Sequence, residues 1–206
     1  SVTRDDLPDG GAGIFAKTIE EIRKRAAHAA VEVLIPDFKG DRDALQKVMN
    51  ARPAVLNHNM ETIPRLYARV RPGADYRRSL DILRWAGEAD PSVPTKSGLM
   101  LGLGESDGEV EDTLGDLLDA GCRILTLGQY LQPSKEHLAV ERYVPPKEFD
   151  GWRGKALEMG FRAVAAGPFV RSSYQAEALW RQAQERGAGS REQGVGSRQE
   201  AVGSRE

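Results

Sequence analysis

Pro94-Thr95-Lys96-Ser97-Gly98-Leu99-Met100-Leu101-Gly102, a helical stretch from Asp107 to Ala120, and Arg123-Ile124-Leu125-Thr126-Leu127-Gly128 together decide the fold. The two outer segments are short apolar runs bounded by Pro and Gly, the pattern of strands buried on both faces. Between them, Ser106 or Asp107 supplies a helix cap. Working outward, residues 146–159 predict a final helix before the strand Ala163-Val164-Ala165-Ala166. On the other side, residues 75–90 predict a helix with Leu80, Ile82, Leu83 and Trp85 apolar. Ala54-Val55-Leu56 is a strand, residues 41–50 a helix, and Val31 to Ile35 a strand stopped by Pro36-Asp37. Residues 12–28 carry Ile14, Phe15, Ile19 and Ile22 at helical spacing. Ser1-Val2-Thr3 reads as the end of a strand. Strand and helix alternate with apolar strands, so the class is α/β with a parallel sheet covered by helices, either an open doubly wound sheet or a barrel.

Composition excludes several classes. With 29 basic and 31 acidic residues, and a net charge of -2, there is no electrostatic case for nucleic acid or an anionic membrane. No run of 18 apolar residues occurs, so no transmembrane helix is expected. Ser1 to Asp6 lacks the features of a signal peptide. Cys122, the single cysteine, permits no internal disulfide framework and fits a reducing, cytoplasmic setting; at a helix-to-strand junction it reads as a small buried thiol. From about residue 187 the chain repeats with a period of seven (Gly189 to Val195, Gly196 to Val202, Gly203 to Glu206), with one apolar position and a Gly in each. A coiled coil needs two apolar positions, so residues 187–206 are expected to form a disordered, low-complexity tail.

Both parallel architectures gather chemistry at the carboxyl ends of the strands. Those ends hold Asp37, then Asn57-His58-Asn59-Met60-Glu61, then Gly102-Leu103-Gly104-Glu105, then Gln129-Tyr130-Leu131-Gln132. Each has a structural reading beside the functional one. Gly98-x-Met100-x-Gly102-x-x-Glu105 is a strand turning into a helix, and it lacks the Gly-x-Gly-x-x-Gly dinucleotide fingerprint. Asn57-His58-Asn59 is a satisfied polar corner before it is a metal site, because His28 and His137 are far away in sequence. Asp5, Asp6 and Asp9 beside Gly10-Gly11 form a turn with a cap. Gly167-Pro168-Phe169-Val170-Arg171-Ser172-Ser173-Tyr174 ends an element with a Gly-Pro turn. Phe169 and Val170 are expected to anchor it, presenting Arg171, Ser172 and Ser173 at a fixed place.

Seven blocks in register resemble the lipoyl synthase family of radical S-adenosylmethionine enzymes: Thr3 to Gly11, Pro36 to Phe38, Asn57 to Thr62, Val70 to Tyr76, Lys96 to Glu105, Gly128 to Pro133 and Arg171 to Tyr174. The resemblance implies a partial (β/α)6 radical-enzyme barrel over residues 1–180. In that family, S-adenosylmethionine and one [4Fe–4S] cluster generate a 5′-deoxyadenosyl radical. The radical removes hydrogens from C6 and C8 of an octanoyl chain carried on a protein lysine. An auxiliary [4Fe–4S] cluster is the sulfur source. The implied cofactors are thus two [4Fe–4S] clusters and S-adenosylmethionine; the implied partners are octanoylated lipoyl-carrier proteins and an electron donor such as ferredoxin or flavodoxin. Gly98, Gly102 and Glu105 are implied to line the S-adenosylmethionine site. Asn57, Asn59 and Glu61 would bond ribose or the methionyl portion, and Gln129 and Tyr130 would lie near adenine or the substrate chain. Ser173, with Ser172 as the alternative, is implied as the auxiliary-cluster ligand, with Arg171 helping to hold it. An alkoxide is a harder, more weakly matched ligand for iron–sulfur than thiolate, which suits a cluster that is consumed.

One departure matters. The family's Cys-x3-Cys-x2-Cys and Cys-x4-Cys-x5-Cys motifs lie N-terminal to Thr-Arg-Asp-Asp, and neither is present here. The expectation is a chain truncated at the N-terminus of the barrel, starting at the end of its second strand and presenting an unpaired strand edge, inactive by itself. Two other readings stand beside it: a different barrel enzyme using Glu105 and His58 as acid and base, and a non-catalytic fragment that binds a lipoyl-carrier domain.

Overall fold

Parallel pairing of β3 (Thr95–Leu101) with β4 (Ile124–Gln129) organises the molecule, a computed structural model that describes residues 4–187. The two strands run in register from Lys96 opposite Ile124 to Leu101 opposite Gln129. β5 (Ala163–Gly167) continues from β4, β2 (Val55–Asn57) adds to the other side of β3, and β1 (Glu32–Leu34) adds to β2. All pairings are parallel and the spatial order equals the sequence order. A doubly wound sheet reverses its strand order at a switch point; a sheet that never reverses, with right-handed crossovers, puts its crossover helices on one side and curls toward a barrel. The order therefore settles the choice that the sequence leaves open.

The helices are α1 (Ala12–Arg25), which precedes β1, and the crossover helices α2 (Arg42–Asn50), the short α3 (Tyr67–Val70), α4 (Tyr76–Ala89), α5 (Asp107–Asp119) and α6 (Pro146–Met159). Local chemistry sets their starts. The Asp9 carboxylate accepts from the backbone N–H of Gly11 and Gly13, each at 3.0 Å, as the turn before α1. Asp41 and Asp75 cap α2 and α4. Ser106 and Glu109 form a reciprocal capping box on α5. Leu99, Leu101, Leu125 and Leu127 point from alternate positions of β3 and β4 into a core with Leu83, Leu114, Leu117, Phe149 and Trp152. Cys122 lies buried beside them, as expected.

The opposite face carries Lys96, Gly98, Ile124, Thr126, Ala163 and Ala165. A helix over residues 176–187, α7, covers its lower end: Leu179 and Ala183 pack on Val55, Ile124, Ala163 and Ala165. Residues 146–159 are therefore not the last helix. The sequence hides α7 because it contributes only a narrow stripe, Leu179, Trp180 and Ala183, amid Gln, Arg and Glu. The regular repeats and Ser1 to Thr3 lie outside the described residues, and among the described residues no helix is long and apolar enough to cross a membrane. Among the described residues β1 and β5 form the two edges of the sheet.

Also on this inner face, Lys96 is completely buried and its ammonium donates to both oxygens of Glu32, at 2.8 and 3.1 Å. Asn57 Nδ2 donates to the same carboxylate at 3.3 Å. Removing one member of such a pair strands the other charge in a poorly solvated place. Lys96→Ala is expected to lower unfolding free energy by about 3 kcal/mol in urea titrations. The double substitution Lys96→Met with Glu32→Gln, which removes both charges, should recover most of that loss.

Candidate functional site

The chain leaves β2 at Asn57, loops across the top of β3, and rejoins the sheet at Glu61. His58 N–H donates to the Lys96 carbonyl at 3.0 Å. Glu61 N–H then donates to the Gly98 carbonyl at 2.9 Å, and the Glu61 carbonyl accepts from Met100 N–H at 2.8 Å. Glu61 takes a left-handed backbone, φ +67°, to make this bridge. The loop holds Asn59 directly over Gly98: a Cβ there would lie 2.7 Å from Thr126 Oγ1 and 3.1 Å from Asn59 Oδ1. Gly98 thus keeps a side-chain-free floor between two polar groups, which a larger residue would fill.

Asn59 Nδ2 donates to Glu61 Oε1 at 3.1 Å, so its Oδ1 faces away from that bond. Among the described residues, Asn57 Oδ1, Asn59 Oδ1 and His58 Nε2 are buried without a hydrogen-bond partner. Three orphaned buried acceptors in one loop are unusual, because each costs about 1–3 kcal/mol unless something donates to it. His58 Nδ1 lies 3.0 Å from the Ile35 carbonyl. A carbonyl only accepts, so the neutral ring carries its proton on Nδ1 and leaves Nε2 a bare lone pair. Burial pushes the His58 pKa down to about 4. The polar-corner reading of Asn57 to Asn59 is thus only half satisfied.

Beside this loop is a cleft of about 410 Å³ lined by Asp37, His58, Asn59, Glu61, Arg71 and Arg78, among others. Arg78 Nε donates to Asp37 Oδ2 at 2.6 Å. Arg71 Nη1 donates to the Asn59 carbonyl at 3.0 Å and to Tyr67 Oη at 2.6 Å, and Tyr67 in turn donates to Ser79 Oγ at 2.6 Å. Arg71 therefore supports the Asn59 loop from below. No pattern in the sequence singles out Arg71 beyond its place between Val70 and Pro72.

Gly102, Glu105, Gln129 and Tyr130 form a second cluster on the neighbouring rim, and their polar groups are engaged with loop backbone. Glu105 accepts from Gly102 N–H at 2.6 Å and from Leu103 N–H at 2.8 Å, using both oxygens. Gln129 Nε2 donates to the carbonyls of Tyr130 and Arg142, and its Oε1 accepts from Val144 N–H at 2.8 Å. Tyr130 Oη donates to the Leu138 carbonyl at 2.8 Å. Gly102, at φ +100°, lets Gln129 and the Arg142 carbonyl approach where a Cβ would stand. The period of two explains Gln129: it shares a face with Leu125 and Leu127, toward the helices.

After β5 the anchor is Val170 alone, 6% exposed, whereas Phe169 is 84% exposed. The expectation that both residues anchor the segment is corrected here: Pro168 and Phe169 form the corner of a turn closed by Val170 N–H donating to the Gly167 carbonyl at 3.1 Å, which turns the Phe169 ring out to solvent. Gly128 has no side chain and so admits the Val170 carbonyl against β4. Arg171 Nη1 donates to that carbonyl at 2.7 Å, and Tyr174 N–H to the Arg171 carbonyl at 2.9 Å, closing a turn with Ser173 exposed and Ser172 half-buried on it.

The donor set does not fit an iron–sulfur cluster on its own. Among the described residues there is no group of three or more His, Cys, Asp or Glu side chains placed to hold a metal ion. Cys122 is buried, donates to the Ile124 carbonyl at 3.4 Å, and has its thiol pushed up by burial to about 12, the reverse of a thiolate ligand. The orphaned oxygens of Asn57 and Asn59, the Glu61 carboxylate and the Gly98 floor do fit a ligand rich in N–H and O–H donors.

The family profile described as the radical SAM superfamily matches residues 1–117, and the chain belongs to that superfamily. More particularly, it is similar to lipoyl synthases. It is 57% identical to the lipoyl synthase of Geotalea uraniireducens over 177 residues, 86% of this chain and 62% of that protein. Against the enzyme of Rubrobacter xylanophilus it is 54% identical over 191 residues, covering 93% and 60% of the two chains. The Haemophilus influenzae protein is 55% identical over 178 residues, 86% and 56%. The chain thus spans roughly three fifths of the length of these curated relatives. Among solved structures, methylornithine synthase (PylB) superposes with a TM-score of 0.53 at 14% identity, over 84% of this chain and 62% of that one, a likeness of fold.

His58 generates a stability prediction. Its folded pKa, about 4, lies below the ordinary value of 6.5, so it stabilises fully above pH 6.5 and the contribution is lost as pH falls from 6.5 toward 4. Comparing urea midpoints of the wild type and His58→Asn from pH 7 to pH 4 should show the wild type losing up to about 3 kcal/mol more.

Proposed function

We propose that this chain carries the barrel portion of a lipoyl synthase, which inserts two sulfurs at C6 and C8 of a protein-bound octanoyl group. The single observation that carries the reading is identity above 50% to lipoyl synthases along nearly the whole chain, including both polar rims. In this reading Asn57, Asn59, Glu61 and Gly98 hold S-adenosylmethionine, whose hydroxyls and ammonium supply the donors that the orphaned oxygens lack. S-adenosylmethionine, once bound, supplies hydrogen-abstracting radical chemistry. The protein's share is orientation: the Gly98 floor lets the ligand approach the sheet backbone, and the loop 57–61 aligns its acceptors along one side.

Gly102, Glu105, Gln129 and Tyr130 act in this proposal by shaping the rim, through the loops 102–105 and 138–144 that they pin. Two [4Fe–4S] clusters belong to the proposed whole enzyme. Ser173, or Ser172, is the one auxiliary-cluster ligand this chain offers, and the cysteine ligands are not among its residues. This chain by itself is accordingly proposed to bind but not to turn over. Octanoylated lipoyl-carrier proteins are the proposed partners, with a ferredoxin or flavodoxin as electron donor, in the cytoplasm.

The activity is tested by presenting the anaerobically purified native protein with an octanoylated carrier domain, S-adenosylmethionine and a one-electron reductant such as reduced flavodoxin. Mass spectrometry should record a gain of two sulfurs and a loss of two hydrogens on the octanoyl chain. Carrier binding with no chemical change under the same conditions would favour the non-catalytic reading. For the 206-residue chain, Asn59→Ala should weaken S-adenosylmethionine about tenfold in titration calorimetry, the worth of one buried hydrogen bond.

A further inference from the structure

Large apolar side chains left in water are not scattered evenly over this molecule. Among the described residues six are exposed: Ile14, Ile22, Leu131, Tyr143, Phe169 and Tyr174. Two of them stand on α1. The other four belong to two segments, 131–143 and 169–174, that leave the carboxyl ends of the neighbouring strands β4 and β5. Gln129 holds these segments side by side. Its backbone N–H donates to the Pro168 carbonyl at 3.4 Å, one residue before Phe169. Its side chain clasps the backbone on both sides of Tyr143, donating to the Arg142 carbonyl at 3.1 Å and accepting from Val144 N–H at 2.8 Å. Phe169 and Tyr174 also line a groove of about 330 Å³ beside β5.

Aromatic rings held in water add little to the fold, whereas at an interface they bury much area and lose little entropy. Exposed apolar groups gathered on one arc mark such a surface. In and beside the two segments stand three cations, Lys135, Lys147 and Arg171, none in an ion pair among the described residues. Of the anions there, Glu148 is matched by Arg142 at 2.8 Å, Glu136 is engaged with Ser134, and Glu141 packs over Gly104. The margin of the apolar arc is therefore left positive. We propose that this arc docks the protein that carries the acyl chain, a domain whose surface around the acylated lysine has an apolar centre and an acidic margin. The inference rests on the reading of this chain as the barrel portion of a lipoyl synthase, and deepens it: it seats the partner on the β4–β5 side of the rim. The arc adjoins the turn that bears Ser172 and Ser173, so a carrier seated there holds its acyl-lysine arm at the carboxyl ends of the strands. Because Gln129 fixes both segments beforehand, docking has little loop ordering to oppose it.

Interferometry on the 206-residue chain tests this, with an octanoylated lipoyl-carrier domain, acidic around its modified lysine, as the probe. Tyr143→Ser and Phe169→Ser should each weaken binding about tenfold. Tyr143 is 73% and Phe169 84% exposed, so the fold survives the loss of either ring, and circular dichroism checks it. Ile14→Ser, which removes an exposed apolar group of α1, should change nothing. Lys135→Glu with Lys147→Glu should slow association and flatten its dependence on salt, which loss of apolar area does not do. Undiminished affinity in the Tyr143 and Phe169 variants, or the same loss in Ile14→Ser, overturns the inference, and so does a wild-type chain that does not bind the probe. A dimer of the chain in analytical ultracentrifugation that Phe169→Ser dissolves assigns the arc to a second copy, and overturns it too. The sulfur-insertion assay judges the function reading separately. Insertion at an undiminished rate and KM by the native protein carrying Phe169→Ser leaves that reading standing while the docking inference falls.

Discussion

The in-register parallel pairing of β3 with β4 is the constraint on which the other features depend. From Lys96 opposite Ile124 up to Leu101 opposite Gln129, it commits every side chain of the two strands to one face or the other. Leu99, Leu101, Leu125 and Leu127 go to the helices, so Gly98 and Thr126 must go to the interior, one beside the other. A slip of one residue would bury Lys96 among the helices and turn the leucines inward. The same alternation drives the polar loop after β2 to close over Gly98, where there is no side chain to obstruct it.

The interior is built in levels. At the bottom, α7 lays Leu179 and Ala183 against small and apolar residues of β2, β4 and β5. Above it sits the Lys96–Glu32–Asn57 group, a charged layer in which a fully buried lysine is balanced by a carboxylate on the edge strand. Higher still come Gly98, Thr126 and Asn59, and at the rim Glu61 and Arg71. Polarity rises and internal satisfaction falls along this path: the lysine is paired, while the asparagine oxygens are not. A buried acceptor left unpaired calls for a donor from outside the chain, and in the proposed function the ligand supplies it at the upper level.

Much of the candidate site is legible in the sequence. Asn57, Asn59, Glu61 and Gly98 do converge, because all four sit at the end of neighbouring strands of one parallel sheet. Gln129, Tyr130 and Glu105 also stand at strand ends, yet their side chains hold the loops 102–105 and 138–144 in place. Proximity to a strand end does not say which way a side chain points; the parity with Leu125 and Leu127 does for Gln129. Phe169 shows the same limit from the other direction: an aromatic residue beside a buried valine was expected to be an anchor and is exposed.

By itself, the sequence determined the alternation of helix and strand, the helix caps at Asp41, Asp75 and Ser106, the buried character of the strands and the chemistry gathered at their carboxyl ends. These depend on interactions within a few residues, through backbone periodicity and side-chain-to-backbone bonds. Only the tertiary structure decided the unreversed strand order, the placing of α7 across the inner face, the double duty of Gln129 and the gathering of Tyr143 and Phe169 beside it. Each of these depends on which distant segments meet, such as Asn57 with Glu32 or Val170 with Gly128. Such meetings are set by the packing of the whole sheet, and no local pattern in the chain records them.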